Sequence, residues 1–252
     1  MTKYPLRGFP QFYLTAESPC PYLPGRQERK IFTPLDANDA AHLHDHLTLQ
    51  GFRRSQNIVY KPACKGCNAC VSVRVAADQF SPGKTFRRLQ NRNADLTSRD
   101  MPPIATHDQF RLMRTYLDNR HQDGGMADMT GLDYSAMVEE TEVETRVIEY
   151  RLPEAPTEPG GTATPGELVA VALTDVLGDG LSMVYSFFDP TLTTRSLGTY
   201  MILDHISRAR GMGLPFVYLG YWVDGCRKMD YKRRFEPLEH LIGGHWVPSE
   251  LV

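Results

Sequence analysis

The clearest alternation of apolar and polar positions lies in the last third of the chain. Residues 167–176 form an apolar run of strand length, Gly178-Asp179-Gly180 supplies turn chemistry, and residues 181–188 form a second apolar run. Residues 199–210 follow with helical spacing, closed by Gly211 or Gly213, and 216–222 reads as a third strand. Strand, hairpin partner, helix and strand in that order predict a sheet with a helix packed on it. Upstream, 39–49 has helical periodicity and stops before Gly51. A strand at 58–60 runs into Pro62, 64–70 forms a tight turn, and 71–75 alternates as a half-buried strand. Residues 80–95 read as basic loop and helix. Residues 108–120 form a helix with Phe110, Leu112, Met113, Tyr116 and Leu117 on its apolar face. Residues 1–30 read as irregular or short-strand structure, and the Pro- and Gly-rich stretch 151–166 as a poorly ordered loop or hairpin tip.

Composition adds a class. With 252 residues, 41% hydrophobic and 23% charged, the chain can build one extended core or two modest domains. No apolar run approaches the ~20 residues that cross a bilayer. The opening ten residues lack an apolar export core, so the cytosol is the expected compartment and no membrane partner is expected. Net charge is only −2, yet Lys84, Arg87, Arg88, Arg92 and Arg99 crowd one segment against Asp95 alone. Such a segment fits either a confined phosphate-binding surface or a solvated charged face.

Five cysteines, an odd number in a chain without an export signal, argue against a disulfide scaffold. Cys64, Cys67 and Cys70 recur every third residue, and Cys20 can supply a fourth thiolate; zinc, an iron–sulfur cluster or buried thiols all remain open. Cys226 reads as a small core residue. The segment Thr193-Thr194-Arg195-Ser196-Leu197-Gly198-Thr199 opens a predicted helix, whose first N–H groups hold anions well. It is equally readable as a capped helix start. His42, His44 and His46 do not share one helical face and read as surface residues, whereas His121 falls in a loop. Without Gly-x-Ser-x-Gly, His-Glu-x-x-His or a Walker loop, the hydrolase and nucleotide-phosphatase classes fall away.

Several segments, in order along nearly the whole chain, resemble the bacterial aspartate/glutamate leucyltransferases, relatives of the arginyl-tRNA–protein transferases. They are Cys20-Pro21-Tyr22-Leu23-Pro24-Gly25-Arg26, Gly51-Phe52-Arg53-Arg54-Ser55, Tyr60-Lys61-Pro62-Ala63-Cys64 through Cys70, Arg87-Arg88, Arg92-Asn93-Ala94-Asp95-Leu96 and Tyr116-x-x-x-Arg120-His121. Asp189-Pro190, Arg195 through Thr199, Tyr218 through Trp222 and Met229-Asp230-Tyr231-Lys232 complete the set. The resemblance implies an α+β protein: a GNAT-like acyltransferase domain with a mixed sheet (101–252), a basic connecting segment (77–100), and a smaller cysteine-bearing N-terminal domain (1–76). It implies leucyl transfer from Leu-tRNA to proteins beginning with Asp or Glu, marking them for proteolysis, with no DNA partner. Arginyl transfer from Arg-tRNA, a coenzyme-A acetyltransferase and a zinc-containing RNA-binding module without catalysis are the competing readings.

On that reading the catalytic candidates are Tyr185, Asp189 and Tyr221. Arg53, Arg54, Arg74, Arg120, His121 and Lys232 are candidate clamps for an acidic N-terminal residue. Arg87, Arg88, Arg92, Arg195, Ser196, Leu197 and Gly198 are candidate tRNA contacts. Cys20, Cys64, Cys67 and Cys70 would hold a structural zinc or an iron–sulfur cluster, and transfer itself needs no cofactor. An aminoacyl ester is already activated, so orientation and oxyanion stabilisation suffice.

Overall fold

The computed structural model describes residues 10–35, 39–120, 126–154 and 166–251. The chain opens with β1 (Tyr13–Leu14), a small ribbon of β2 (Ser18–Pro19) and β3 (Gln27–Glu28), β4 (Lys30–Pro34), helix α1 (Ala40–Leu49), and the hairpin of β5 (Arg53–Ser55) and β6 (Ile58–Pro62). These build an antiparallel four-stranded sheet in the order β1-β4-β6-β5. There follow β7 (Cys70–Ala76), α2 (Lys84–Arg92), β8 (Thr97–Met101), α3 (His107–Arg120), α4 (Gly131–Glu139), β9 (Thr145–Arg151), β10 (Leu168–Leu177) and β11 (Gly180–Phe188). Helix α5 (Leu197–Gly211), β12 (Phe216–Val223), β13 (Leu238–Ile242) and β14 (His245–Pro248) complete the fold. The large sheet runs β14-β13-β7-β12-β11-β10-β9-β8, and only β11 and β12 pair in parallel. It is a mixed sheet with a small sheet preceding it.

Strand β10 reads as apolar apart from Thr174 and Asp175 because helices cover both faces. Val169, Ala170 and Ala172 pack with Met201, Ile202 and Ile206 of α5. Leu168, Val171 and Leu173 pack with Leu112, Met113 and Leu117 of α3 and with Tyr134 and Val138 of α4. The turn is tight, since Leu177 pairs with Gly180 and leaves only Gly178 and Asp179 between them. The opposite edge is different. All five residues of β8 are exposed, and Asp100 receives the guanidinium groups of Arg146 and Arg208.

Strand β7 departs from the division read in the sequence at residue 76. It lies inside the large sheet, between β12 and β13, because Val73, Val75 and Ala77 are wholly buried in the core that α5 covers. The low-complexity prediction falls mostly on residues 155–165, which lie outside the described residues.

The small sheet is fastened to the large one by a buried ion pair. Arg54 of β5 donates from Nε and from Nη2 to the two carboxylate oxygens of Asp175 on β10, each at 2.6 Å. Thr145 Oγ1 of β9 accepts from Arg54 at 3.2 Å and donates to Asp175 at 2.8 Å. Neither charged side chain has measurable exposure. His44 of α1 sits 3.5 Å from the same carboxylate, and burial lowers its pKa despite the neighbouring Asp175. Two expectations are thereby corrected. His44 is a core residue rather than a surface one, because α1 packs its side toward β10, and Arg54 is locked inside the protein with no donor face for a substrate.

Removing one partner of a sealed ion pair strands the other charge. Arg54→Met should therefore cost ~3–5 kcal/mol of unfolding free energy in a urea titration, whereas Arg54→Met with Asp175→Leu should recover much of it. A loss in the single variant no larger than for an exposed arginine would refute this role.

Candidate active site

Strands β11 and β12 pair in parallel only over Gly180–Ser182 and Phe216–Tyr218. Past that point their pairing stops, and the gap between them is the candidate cleft. The side chain that fills its root is Arg53. Side chains alternate across a strand, so with Arg54 turned to the buried Asp175, Arg53 is directed to the opposite side of β5. Its Nη2 donates to the Met183 and Val184 carbonyls, at 3.3 and 3.1 Å, which β12 leaves unpaired. Its guanidinium lies 5.7 Å from the centre of the Tyr221 ring. Here β12 bulges, with Gly220 at φ +73°, and an added Cβ would stand 2.3 Å from the Arg53 guanidinium carbon. Only glycine satisfies both conditions.

Lys232 comes to the same place from the 3-10 helix Arg227–Arg234. It is buried, and its Nζ donates to the Tyr221 carbonyl. Burial, reinforced by the Arg53 charge, brings its pKa down to about 7. The opposite wall is aromatic. Tyr116 of α3 lies 5.2 Å from Phe188, and the Arg120 guanidinium covers that ring at 5.1 Å. Tyr185 and Tyr231 both lie within electrostatic reach of Tyr116, and burial raises the Tyr185 hydroxyl well above its ordinary range. Tyr231, which lies near both Arg53 and Tyr116, links the Arg53–Lys232 pair to the group of Tyr116, Tyr185, Phe188 and Arg120, and together they make the candidate site. His121, next in sequence to Arg120, lies outside the described residues.

Other expected site residues have different work. The Tyr221 hydroxyl donates to the carbonyls of Gly51 and Tyr60, at 3.0 and 3.1 Å, and so ties the two sheets together. Asp189 accepts from the Thr191 backbone and hydroxyl, at 2.8 and 2.7 Å, closing the turn after β11. Arg74 lies against the Phe216 and Trp246 rings and pairs with Glu239 at 2.7 Å. Arg195 makes a two-pronged pair with Asp95, both contacts at 2.8 Å, and its carbonyl accepts from Asn93 at 2.9 Å. Its charge is thereby neutralised. Ser196 adopts a left-handed conformation at φ +47°, Leu197 is buried, and a Cβ on Gly198 would meet Phe188 at 3.1 Å. That loop start is shaped by packing against the aromatic wall. Arg87, Arg88 and Arg92 are exposed on α2.

The four cysteines share one corner of the small sheet. Cys20 Sγ accepts from the Leu23 N–H and Cys64 Sγ from the Arg29 N–H, each at 3.4 Å, and Arg26 donates to Cys67 Sγ at 3.2 Å. The Cys70 thiol is pushed up to about 11 by burial and then by the nearness of Cys20, Cys64 and Cys67. As they stand, no three His, Cys, Asp or Glu side chains among the described residues are spaced to hold a metal ion. The donor chemistry suits zinc or an iron–sulfur cluster, but an ion would have to draw the sulfurs closer. Cys226 is buried in a small cluster with Tyr221 and Val223, as expected of a core residue.

Sequence reasoning gave Tyr116 no site role although it stands in the motif Tyr116-x-x-x-Arg120-His121, because its helical spacing also explains it as core. It also passed over the one legible signal of the cleft, a glycine inside an apolar strand.

Comparison with known proteins places this architecture. Residues 18–88 match the family described as arginine-tRNA-protein transferase, N terminus, and residues 108–242 match the corresponding C terminus. The chain therefore belongs to the aminoacyl-tRNA–protein transferases. An aspartate/glutamate leucyltransferase of Bradyrhizobium sp. (strain ORS 278) is 61% identical, over 97% of this chain and 94% of its own. One of Xanthobacter autotrophicus (strain ATCC BAA-1158 / Py2) is 60% identical, over 99% of this chain and 100% of its own. The chain belongs to the aspartate/glutamate leucyltransferase family. Among solved structures, FemX covers 80% of this chain and 65% of its own at a TM-score of 0.46 and 8% identity, too distant to carry an argument.

Lys232 gives a pH-dependent prediction. Its folded value of about 7 lies below the ordinary 10.5, so between the two the unfolded chain binds more protons. Its cost to stability is full below the folded value and fades as pH rises toward the unfolded one. Lys232→Met should accordingly raise the thermal midpoint more at about pH 6 than at about pH 9 while lowering activity. An equal gain at both would show that Lys232 is not a buried, low-pKa amine.

Proposed function

We propose that this protein transfers leucine from Leu-tRNA to the α-amine of proteins that begin with Asp or Glu, forming a peptide bond that marks them for proteolysis in the cytosol. The observation that carries the reading is the Arg53–Lys232 pair at the root of the cleft. Two cationic side chains face one another there, one of them held near neutrality by burial. A side-chain carboxylate entering the cleft offsets the repulsion between them and gains a charge-assisted clamp. The acceptor's α-amine, with a pKa of about 7.7–8, is partly neutral at physiological pH and needs no strong base. It attacks the leucyl ester carbonyl; the C–O bond to the terminal ribose breaks, and the ribose hydroxyl leaves with the proton. Tyr116, Tyr185 and Phe188 offer an apolar wall to the leucyl side chain. Tyr185 is the catalytic candidate whose ring lies in the cleft, whereas Tyr221 and Asp189 act as positioning residues.

A GNAT-like arrangement is part of this reading. It is supported by parallel strands whose pairing stops at the cleft and by α5, which follows β11 and begins against Phe188. Among the described residues no helix is long and apolar enough to cross a membrane. Elements of both family halves meet at the cleft, Arg53 from the first and Lys232 from the second, which favours an enzyme over a stand-alone RNA-binding module.

Peptides beginning with Asp, Glu or Ala, incubated with Leu-tRNA, Arg-tRNA or acetyl-CoA, test the reading directly. Leucine should appear on the Asp and Glu peptides alone, and Arg53→Met should lower kcat/KM for the Asp peptide at least ~10-fold, or about 1.4 kcal/mol. Equal transfer to the Ala peptide would overturn the clamp, and exclusive use of Arg-tRNA would overturn the donor.

The same proposal gives Cys20, Cys64, Cys67 and Cys70 a structural zinc or iron–sulfur cluster, supported by the gathering of four thiols and the N–H donors aimed at their sulfurs. Elemental analysis after anaerobic purification should find about one zinc, or iron with sulfide, per chain. Metal-free protein of full stability would leave the four as half-buried free thiols.

A further inference from the structure

Several half-buried arginines of this protein are held by carboxylates. Arg114, Arg146, Arg151, Arg195 and Arg208 each meet a carboxylate. Exposed cations without such a partner gather on one surface. Lys84, Arg87, Arg88 and Arg92 of α2, with Arg233 and Arg234 of the 3-10 helix Arg227–Arg234, are exposed and have no carboxylate partner among the described residues. Arg87 and Arg92 spend one donor each on the carbonyls of Pro82 and Thr194, at 2.6 and 2.5 Å. Arg233 lies over Trp222 at 5.5 Å and Arg234 over Phe86 at 5.3 Å. The nearby carboxylate of Glu236 is engaged by the Leu238 N–H at 2.8 Å.

Packing makes these two groups one surface. Phe86 of α2 stacks on Phe235 at 5.0 Å, directly after the 3-10 helix, and the Arg234 guanidinium covers Phe86. At the far end, Arg92 and Asn93 bind the carbonyls of Thr194 and Arg195, so α2 spans from the start of α5 to the 3-10 helix. The short helix itself connects this surface to the cleft: Lys232 reaches the Tyr221 carbonyl inside, while Arg233 and Arg234 stand outside. Guanidinium planes rested on aromatic rings keep their N–H edges turned outward and lose little freedom on meeting an anion.

We infer that α2 and the 3-10 helix Arg227–Arg234 form a single cationic track for the phosphate backbone of the donor RNA, with Arg233 and Arg234 gripping the phosphates nearest the aminoacylated end. The inference rests on the proposed leucyl transfer for the identity of the RNA. Since the aminoacyl ester must lie in the cleft, the residues one and two places beyond Lys232 are cations within reach of the strand that leads out of it. The track also explains why the start of α5 can afford a neutralised Arg195: unpaired charge lies next to it on α2.

Uncharged tRNA of leucine specificity is the probe, with binding followed by fluorescence anisotropy between about 50 and 200 mM salt. Arg233→Gln with Arg234→Gln should weaken binding about tenfold at the low-salt end and reduce the slope of log Kd against log salt by about 1.5, or ~0.7–0.9 per lost contact. The paired Arg→Lys variant should restore the slope, and the KM for an Asp-starting peptide should hold while that for Leu-tRNA rises. An unchanged slope, a Lys pair as weak as the Gln pair, or a rise confined to the peptide KM would overturn the track. Should the Gln pair fail to fold, Arg87→Gln with Arg88→Gln, on the exposed side of α2, reads the same slope and decides. Salt-dependent tRNA binding without any leucyl transfer by the wild type would sink the proposed activity and leave the track standing.

Discussion

Two carboxylate oxygens, sealed from water at Asp175, hold the architecture together. The four-stranded sheet meets the eight-stranded one through a small apolar cluster, Tyr60 against Tyr221 and Val223. It is also held by polar ties: Arg54 on Asp175, Thr145 beside them, and the Tyr221 hydroxyl on the carbonyls of Gly51 and Tyr60. Such ties are directional. An apolar interface tolerates sliding, whereas a two-pronged guanidinium–carboxylate pair fixes distance and angle together. With β5 fixed in register, Arg53 has one place to go, and the root of the cleft is set by a bond on the other side of the same strand.

The cleft concentrates opposing demands. Arg53 needs the bare backbone at Gly220 and the unpaired carbonyls of Met183 and Val184. Lys232 is forced out of water beside it and gives up much of its hold on a proton. Neither arrangement favours folding in isolation, and local strain of this kind is characteristic of sites retained for what they bind. Tyr116, Tyr185 and Phe188 gather nearby, with Tyr231 between that apolar group and the cations.

The centre of the fold was legible because its physics is periodic. Strands β10, β11 and β12 and helices α1, α3 and α5 announce themselves by runs, alternation and helical spacing. The periphery was not. Strand β8 buries nothing and so carries no pattern, and β9 hides Glu149 by giving it Gln109 and Arg151 as partners. Helix α4 is short and rests on a capping box between Thr130 and Asp133. In the site, Arg53 and Arg54 are chemically identical neighbours that differ only in which side of a three-residue strand they face. Composition cannot separate them; a long-range partner at Asp175 does. The cysteine spacing was equally plain in the sequence, while the fourth thiol, 44 residues upstream of Cys64, is brought near only by the fold.

An open sheet of eight strands ends in an edge, and edges recruit. At β8 the vacant ladder is guarded: every residue is exposed, and Asp100 is bracketed by Arg146 and Arg208. A charged, fully solvated border gives a passing extended polypeptide little reason to add itself as a ninth strand. For a protein whose partners present loose chain ends, this amounts to a rule of engagement: a client gains no foothold along its length at this border, and what remains to be judged is the character of its first residue.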